Sequence, residues 1–135
     1  MNVDQILSGW QKSRHVIGMV EFLTSDSVLR KFVHNIGAEY IPIGMCEAEA
    51  LCVNRESGEI VLLEHEVSGK IFCKASKDQS HFVFAMKKLE AHFAKCGEDD
   101  AYYDDIEVAK QIRDECAKLA GGNDYEGFYS SLIGV

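Results

Sequence analysis

The sequence has one proline, Pro42, one tryptophan, Trp10, and only short runs of wholly apolar residues. Runs that short cannot cross a bilayer core, which needs about 20 apolar residues in a helix, so no membrane span is expected. The amino-terminal stretch Met-Asn-Val-Asp-Gln-Ile-Leu lacks the basic start and apolar run of a secretory signal. Five cysteines (Cys46, Cys52, Cys73, Cys96, Cys116) form no Cys-x-x-Cys pair and are odd in number. Without export, reduced buried thiols are the simplest expectation, and with them a cytoplasmic protein. The five histidines show no paired spacing on a helix, and Glu98-Asp99-Asp100 lacks the alternating ligands and central glycine of an EF-hand loop. No metal and no cofactor is expected. No glycine-rich loop joins a strand to a helix start; Gly121-Gly122 follows a helix instead, the reverse of a phosphate cradle.

A basic excess is also missing. The formal net charge is −8, which argues against nucleic acid, because phosphate neutralisation needs clustered cations. The charge is segregated along the chain. Residues 1–46 are balanced, residues 47–66 carry net −5, residues 67–96 carry net +4, and the chain from Glu98 onward carries net −7. Fields of this kind steer association with a basic partner.

What is present is one core's worth of apolar residues. With 135 residues, 47% of them hydrophobic, the chain makes a single domain over 1–135. Its organising stretch is 48–75, where Ala48 to Asn54, Ile60 to Glu66 and Lys70 to Ala75 read as three strands. Ser57-Gly58 and Ser68-Gly69 separate them, each glycine supplying the positive φ of a tight turn. Residues 2–12 carry Val3, Ile6, Leu7 and Trp10 at helical spacing. Residues 15–23 suit a strand or a buried helix equally, and periodicity does not decide. A helix begins at Ser25 or Ser27, with Val28, Leu29, Phe32, Val33 and Ile36 on one stripe and Gly37 as its left-handed stop. Pro42 restricts the next strand to an edge or a strand start.

Beyond the meander, Phe82, Met86, Leu89, Phe93 and Cys96 form the strongest helical pattern, closed by Gly97. His34 and His92 fall off their stripes and read as solvated. Asp104 with Glu107 resembles a capping box. Ile106, Ala109, Ile112, Cys116 and Leu119 make a second stripe, and Tyr125, Phe128, Tyr129, Leu132 and Ile133 a last short helix. The expected class is α+β: a twisted antiparallel sheet with a central three-stranded meander, helices before and after it packed on one face.

Chemistry is sparse in this pattern. A thiol enzyme would need Cys73 or Cys52 as nucleophile and His65 or His81 as base, yet both cysteines sit in apolar strand runs where a thiol behaves as a small hydrophobe. The most informative feature is acidic. Glu98, Asp99, Asp100, Asp104, Asp105 and Glu107 place six carboxylates within ten residues, with Tyr102 and Tyr103 between them. Carboxylates at a helix start are ordinary, but acids that steer and tyrosines that anchor also make a protein interface. Glu64 and Glu66, on one face of the middle strand, extend the negative surface if that face is open, although alternation puts them on the same side as Ile60 and Leu62.

The stretch Leu51-Cys52-Val53-Asn54-Arg55-Glu56-Ser57-Gly58-Glu59-Ile60-Val61 resembles a hallmark of the SUKH superfamily: strand, glycine-centred turn, strand. Ile71 to Ser76 followed by Phe82-Val83-Phe84-Ala85-Met86 is similar to that family's next strand and helix. Lys74-Ala75-Ser76 stands where many members carry an Asn-Ser pair. The resemblance covers residues 37–96. It implies a non-enzymatic binding protein, an immunity protein that neutralises a cognate bacterial toxin, with a nuclease toxin supplying a basic partner. A regulatory adaptor of the same fold is the alternative. Docking residues expected on this reading are Glu98, Asp99, Asp100, Tyr102, Tyr103, Asp104 and Asp105, with Glu64 and Glu66 beside them. The protein itself is expected to be a monomer or a weak homodimer.

Overall fold

The computed structural model describes residues 2–31, 36–67 and 69–135. Helix α1 (Val3–Ser13) leads into two short strands, β1 (Val16–Ile17) and β2 (Val20–Phe22), and then α2 (Ser25–Lys31). Four strands follow, β3 (Tyr40–Cys46), β4 (Glu49–Asn54), β5 (Ile60–Leu63) and β6 (Ile71–Ser76). Helices α3 (Gln79–Glu98), α4 (Asp100–Tyr103) and α5 (Ile106–Ala120), a 3-10 turn at Asn123–Tyr125 and α6 (Glu126–Ile133) complete the chain. The strands form one antiparallel sheet in the order β1-β2-β3-β4-β5-β6, so each strand pairs with its sequence neighbour. The α+β class and the meander at its centre are as the sequence indicates, with Gly58 at φ 79° and Gly69 at φ 75° in the two turns.

Alternation along β4 and β5 divides the core in two. Leu51, Val53, Ile60 and Leu62 face α1, α3, α5 and α6, where Phe82, Met86, Leu89, Cys116, Phe128 and Tyr129 meet them. Ala50, Cys52, Val61 and Leu63 face the other way, toward Leu23, Tyr40 and Val28 of α2. Both faces are therefore apolar, which is why Ile60-Val61-Leu62-Leu63 is unbroken in sequence and wholly buried. An aromatic chain ties the larger layer together. Trp10–Phe22, Phe22–Phe82, Phe82–Phe128 and Phe128–Tyr129 lie at centroid separations of 4.8, 6.1, 6.2 and 5.0 Å. Such pairs add ~0.5–1.5 kcal/mol each beyond the area they bury. The fully buried Tyr129 hydroxyl donates to Ala75 O at 2.8 Å, and Lys77 N donates to Ala120 O at 2.9 Å, fastening β6 to α5 and α6.

Several local expectations change. The ambiguous 15–23 stretch is a hairpin: Arg14 takes a left-handed conformation (φ 56°) that stops α1, and Gly18-Met19 forms the turn between β1 and β2. Pro42 lies inside β3, an internal strand, but β2 pairs with β3 only over Gly44 to Cys46. Opposite Pro42 stands α2 instead, where Ser25 Oγ donates to Pro42 O at 2.7 Å, so the missing N–H removes no ladder bond on that side. Gly37 does not adopt the left-handed conformation expected of a helix stop; Phe32, Val33 and His34 lie outside the described residues. Gly97 is helical and α3 runs on to Glu98, because Asp99 supplies the terminus. The cap of α5 is Asp105, not Asp104: Asp105 is extended while Asp104 closes α4 in a helical conformation.

Candidate functional site

The acidic stretch forms the corner where the α3–α5 hairpin turns back. Asp99 serves two helices. Its backbone N–H donates to Lys95 O at 3.1 Å, ending α3, and its carboxylate accepts from Ala101 N (3.0 Å) and Tyr102 N (3.2 Å), starting α4. Asp105 likewise accepts from Glu107 N (3.1 Å) and Val108 N (3.2 Å) to start α5. These two carboxylates satisfy helix donors that would otherwise be orphaned, a contribution of ~1 kcal/mol apiece. Tyr102 also turns inward. His92 Nδ1 and the Tyr102 hydroxyl are 2.9 Å apart, the two rings stand 5.3 Å apart, and Lys95 Nζ lies 4.6 Å from the Tyr102 ring centroid. Three of the seven expected docking residues therefore hold the corner in shape.

The others are presented outward. Glu98, Asp100 and Asp104 are exposed and, among the described residues, take part in no ion pair; Glu107 is 3.8 Å from Lys110. Tyr103 is 69% exposed and Ile106, which the helical stripe places in the core, is 60% exposed. Two large apolar side chains thus stand among carboxylates unpaired among the described residues, on a corner fixed by two caps and the part-buried His92–Tyr102 hydrogen bond. This arrangement can attract cations at long range and then desolvate against apolar surface.

Glu64 and Glu66 belong elsewhere. The strand β5 ends at Leu63, so alternation does not govern them. Glu64 pairs with Lys70 Nζ at 3.2 Å, and Glu66 lies 3.5 Å from His65 Nε2. His65 is itself engaged: Glu49 accepts from its backbone N–H at 2.7 Å and lies 3.1 Å from its Nδ1. That hydrogen bond raises the imidazole pKa above its ordinary value. These contacts brace the β5–β6 corner. They share no hydrogen bond or ion pair with the acidic turn among the described residues.

The thiol groups are arranged for packing. Burial pushes Cys46 up to about 11 and Cys52 and Cys116 up to about 12, and it raises Cys73 as well. His81 Nδ1 lies 2.7 Å from Asp78 Oδ1, and His65 faces Glu49, so the histidines proposed as bases are held by carboxylates. A pair the spacing argument passed over does exist. Cys96 Sγ sits 3.6 Å from His92 Nε2, one turn apart on α3. His92, expected to be solvated, is only 5% exposed. Burial lowers the His92 pKa and raises that of Cys96, which favours neutral thiol beside neutral imidazole, and the negative end of α3 opposes a thiolate further.

A second surface went unforeseen. Between α3 and α5 lies a groove of about 580 Å³ lined by His81, Phe84, Lys88, Glu115, Lys118 and Leu119. Phe84 is 52% exposed, and Leu119, expected on the buried stripe, is 39% exposed. Phe84 falls off the 82-86-89-93 pattern in the sequence, and that was the available signal. Among the described residues no group of His, Cys, Asp and Glu side chains converges as metal ligands, and no helix is long and apolar enough to cross a membrane. Comparison with family models, with curated proteins and with solved structures finds no match for this chain.

Proposed function

We propose that this chain is a non-catalytic binding protein whose acidic corner docks on a basic protein, and that it serves in the cytoplasm as an immunity protein against a cognate toxin. The observation that carries this reading is the exposure of Tyr103 and Ile106 among Glu98, Asp100 and Asp104, carboxylates without counter-charges among the described residues. A protein that only needed a soluble turn gains nothing from two apolar side chains held out on capped helices. The resemblance of 37–96 to the SUKH pattern supplies the immunity role, and a nuclease supplies a suitable partner, because its nucleic-acid cleft must be basic. A regulatory adaptor would use the same surface and is the second reading. Acids set the rate of encounter, while Tyr103 and Ile106 supply desolvated anchors; Asp99, Tyr102 and Asp105 act by holding the corner.

The test is association with the product of the adjacent toxin gene, measured by surface plasmon resonance over a salt series. The triple variant Glu98→Lys, Asp100→Lys, Asp104→Lys leaves both caps intact and is expected to slow association at low salt by roughly tenfold or more. Tyr103→Ala is expected to raise the dissociation rate instead. Unchanged rates and salt dependence in both variants would place the interface elsewhere. Binding to a partner encoded far from any toxin gene would favour the adaptor.

A further inference from the structure

The acidic corner uses one end of the α3–α5 hairpin. The groove farther along the same hairpin has the opposite character. Its floor is apolar, formed by Phe84 of α3 and Leu119 of α5. Its charge is cationic in balance. Lys88 Nζ meets Glu115 Oε2 at 2.9 Å, cancelling the only carboxylate in the lining, while Lys118 pairs with no acid among the described residues. Lys77 stands outside the lining, its side chain beside Gly121, and is offset by Asp78, whose carboxylate lies 2.7 Å from His81 Nδ1. In a chain of net charge −8 the groove keeps one cation, Lys118, without an acidic partner among the described residues. We propose that the groove docks an acidic amphipathic helix of a partner protein, its apolar stripe on Phe84 and Leu119 and its carboxylates toward Lys118.

Two neighbouring helices joined by a tight corner leave a trough whose ridges accept a third helix, the geometry of a helical bundle. The occupant's charge follows from the lining. A basic helix would bring cations against Lys118, and a second copy of this chain, laid face to face, would oppose lysine to lysine while setting −8 against −8 overall. An acidic helix meets neither penalty. This surface is distinct in place and in sign from the acidic corner and does not depend on the role given to it.

The probe is a fluorescein-labelled helical peptide of about 15 residues with Leu at i, i+3, i+4 and i+7 and Glu on its polar face, long enough to hold helix on a surface. Its anisotropy is followed against the full chain. Phe84→Glu is expected to weaken binding about tenfold or more, the loss an anchor side chain carries, and Lys118→Glu to weaken it several-fold in a salt-sensitive manner. Both positions are exposed, so far-ultraviolet dichroism should be unchanged, and if one variant fails to fold the other decides alone. Absence of binding, or binding that neither variant alters, overturns the proposal. So does a Lys-for-Glu version of the peptide that loses as much affinity on Phe84→Glu, since the groove would then have no preference for acid. Concentration-dependent sedimentation of the chain that Phe84→Glu abolishes would make the occupant a second copy and overturn the choice of partner.

Discussion

Replacing Tyr102 by Phe removes one oxygen and tests how the acidic corner is held. The hydroxyl is 2.9 Å from His92 Nδ1, and His92 is a buried polar residue of the core. The ring stays, so its packing on His92 and the nearby Lys95 ammonium are retained. What is lost is the partner of a buried imidazole nitrogen, a cost of about 1–3 kcal/mol because the desolvation of that nitrogen is no longer offset. The corner is where this cost will be felt. None of the residues of α4 is fully buried, and α4 packs only on its neighbours α3 and α5 among the larger contacts. Such a segment opens by itself before the domain unfolds.

The assay is native-state amide exchange together with nuclear magnetic resonance titration of His92. Tyr103 N, Asp104 N and Asp105 N donate to Asp99 O, Asp100 O and Tyr102 O, so their exchange reports the opening of α4 directly. A loss of 1–3 kcal/mol makes these three amides exchange roughly 5- to 150-fold faster, while the amides of β4 and β5 keep their protection. His92, now reached by water through the opened corner, should titrate closer to its ordinary value. If the three amides and the His92 titration are both unchanged, the hydroxyl contributes nothing and the corner is held by Asp99 and Asp105 alone.

Two further perturbations test the fold that carries the site. Burial lowers the His92 pKa, so below about pH 6.5 the unfolded chain takes up a proton that the folded chain refuses, and stability falls as the pH drops through that window. Its surroundings are Cys96, Phe93, Tyr102 and Lys95, none of which supplies a compensating negative charge; urea midpoints should therefore decline less on acidification in His92→Gln than in the parent, and equal slopes would refute the burial argument. Gly44→Ala should destabilise by about 2 kcal/mol or more, because an added Cβ would stand 2.5 Å from Glu21 O and 3.2 Å from Phe22 Cα, which are backbone atoms of β2 that cannot rotate away. An unchanged melting temperature for that variant would mean that β2 gives way freely.

The fold was largely legible because most elements advertise themselves twice. The meander combines apolar strands with glycines at both turns, and α5 combines a stripe with the Gly121-Gly122 pair that closes it. Where one signal stood alone, reading failed. Residues 15–23 have apolar content without a decisive period, and what settles them is Arg14 entering the left-handed region, which no propensity foretells. His92 was misplaced because a polar side chain was taken to mark the solvent face. Its helix in fact buries Ala85, Leu89 and His92, a row beside the one through Phe82, Met86 and Leu89. At the acidic corner Asp104 and Asp105 are interchangeable as caps by composition, and only the backbone conformation at the end of α4 separates them. Composition located the carboxylates but not their division of labour, since a cap and a free acid are the same residue until a helix start is placed.

That division has a consequence for how the surface can change. Asp99, Tyr102 and Asp105 pay into the geometry of the α3–α5 hairpin, so replacing any of them alters the position of every neighbouring side chain. Glu98, Asp100, Tyr103, Asp104 and Ile106 carry charge and area without supporting the core, as do Phe84, Lys118 and Leu119 in the groove. Substitutions at such exposed positions change stability by only about 0.5 kcal/mol, whereas they can shift association by an order of magnitude. On the proposed reading the hairpin offers two surfaces of opposite sign that can be retuned for new partners while the central strands β4 and β5 beneath them, buried on both faces, stay the same.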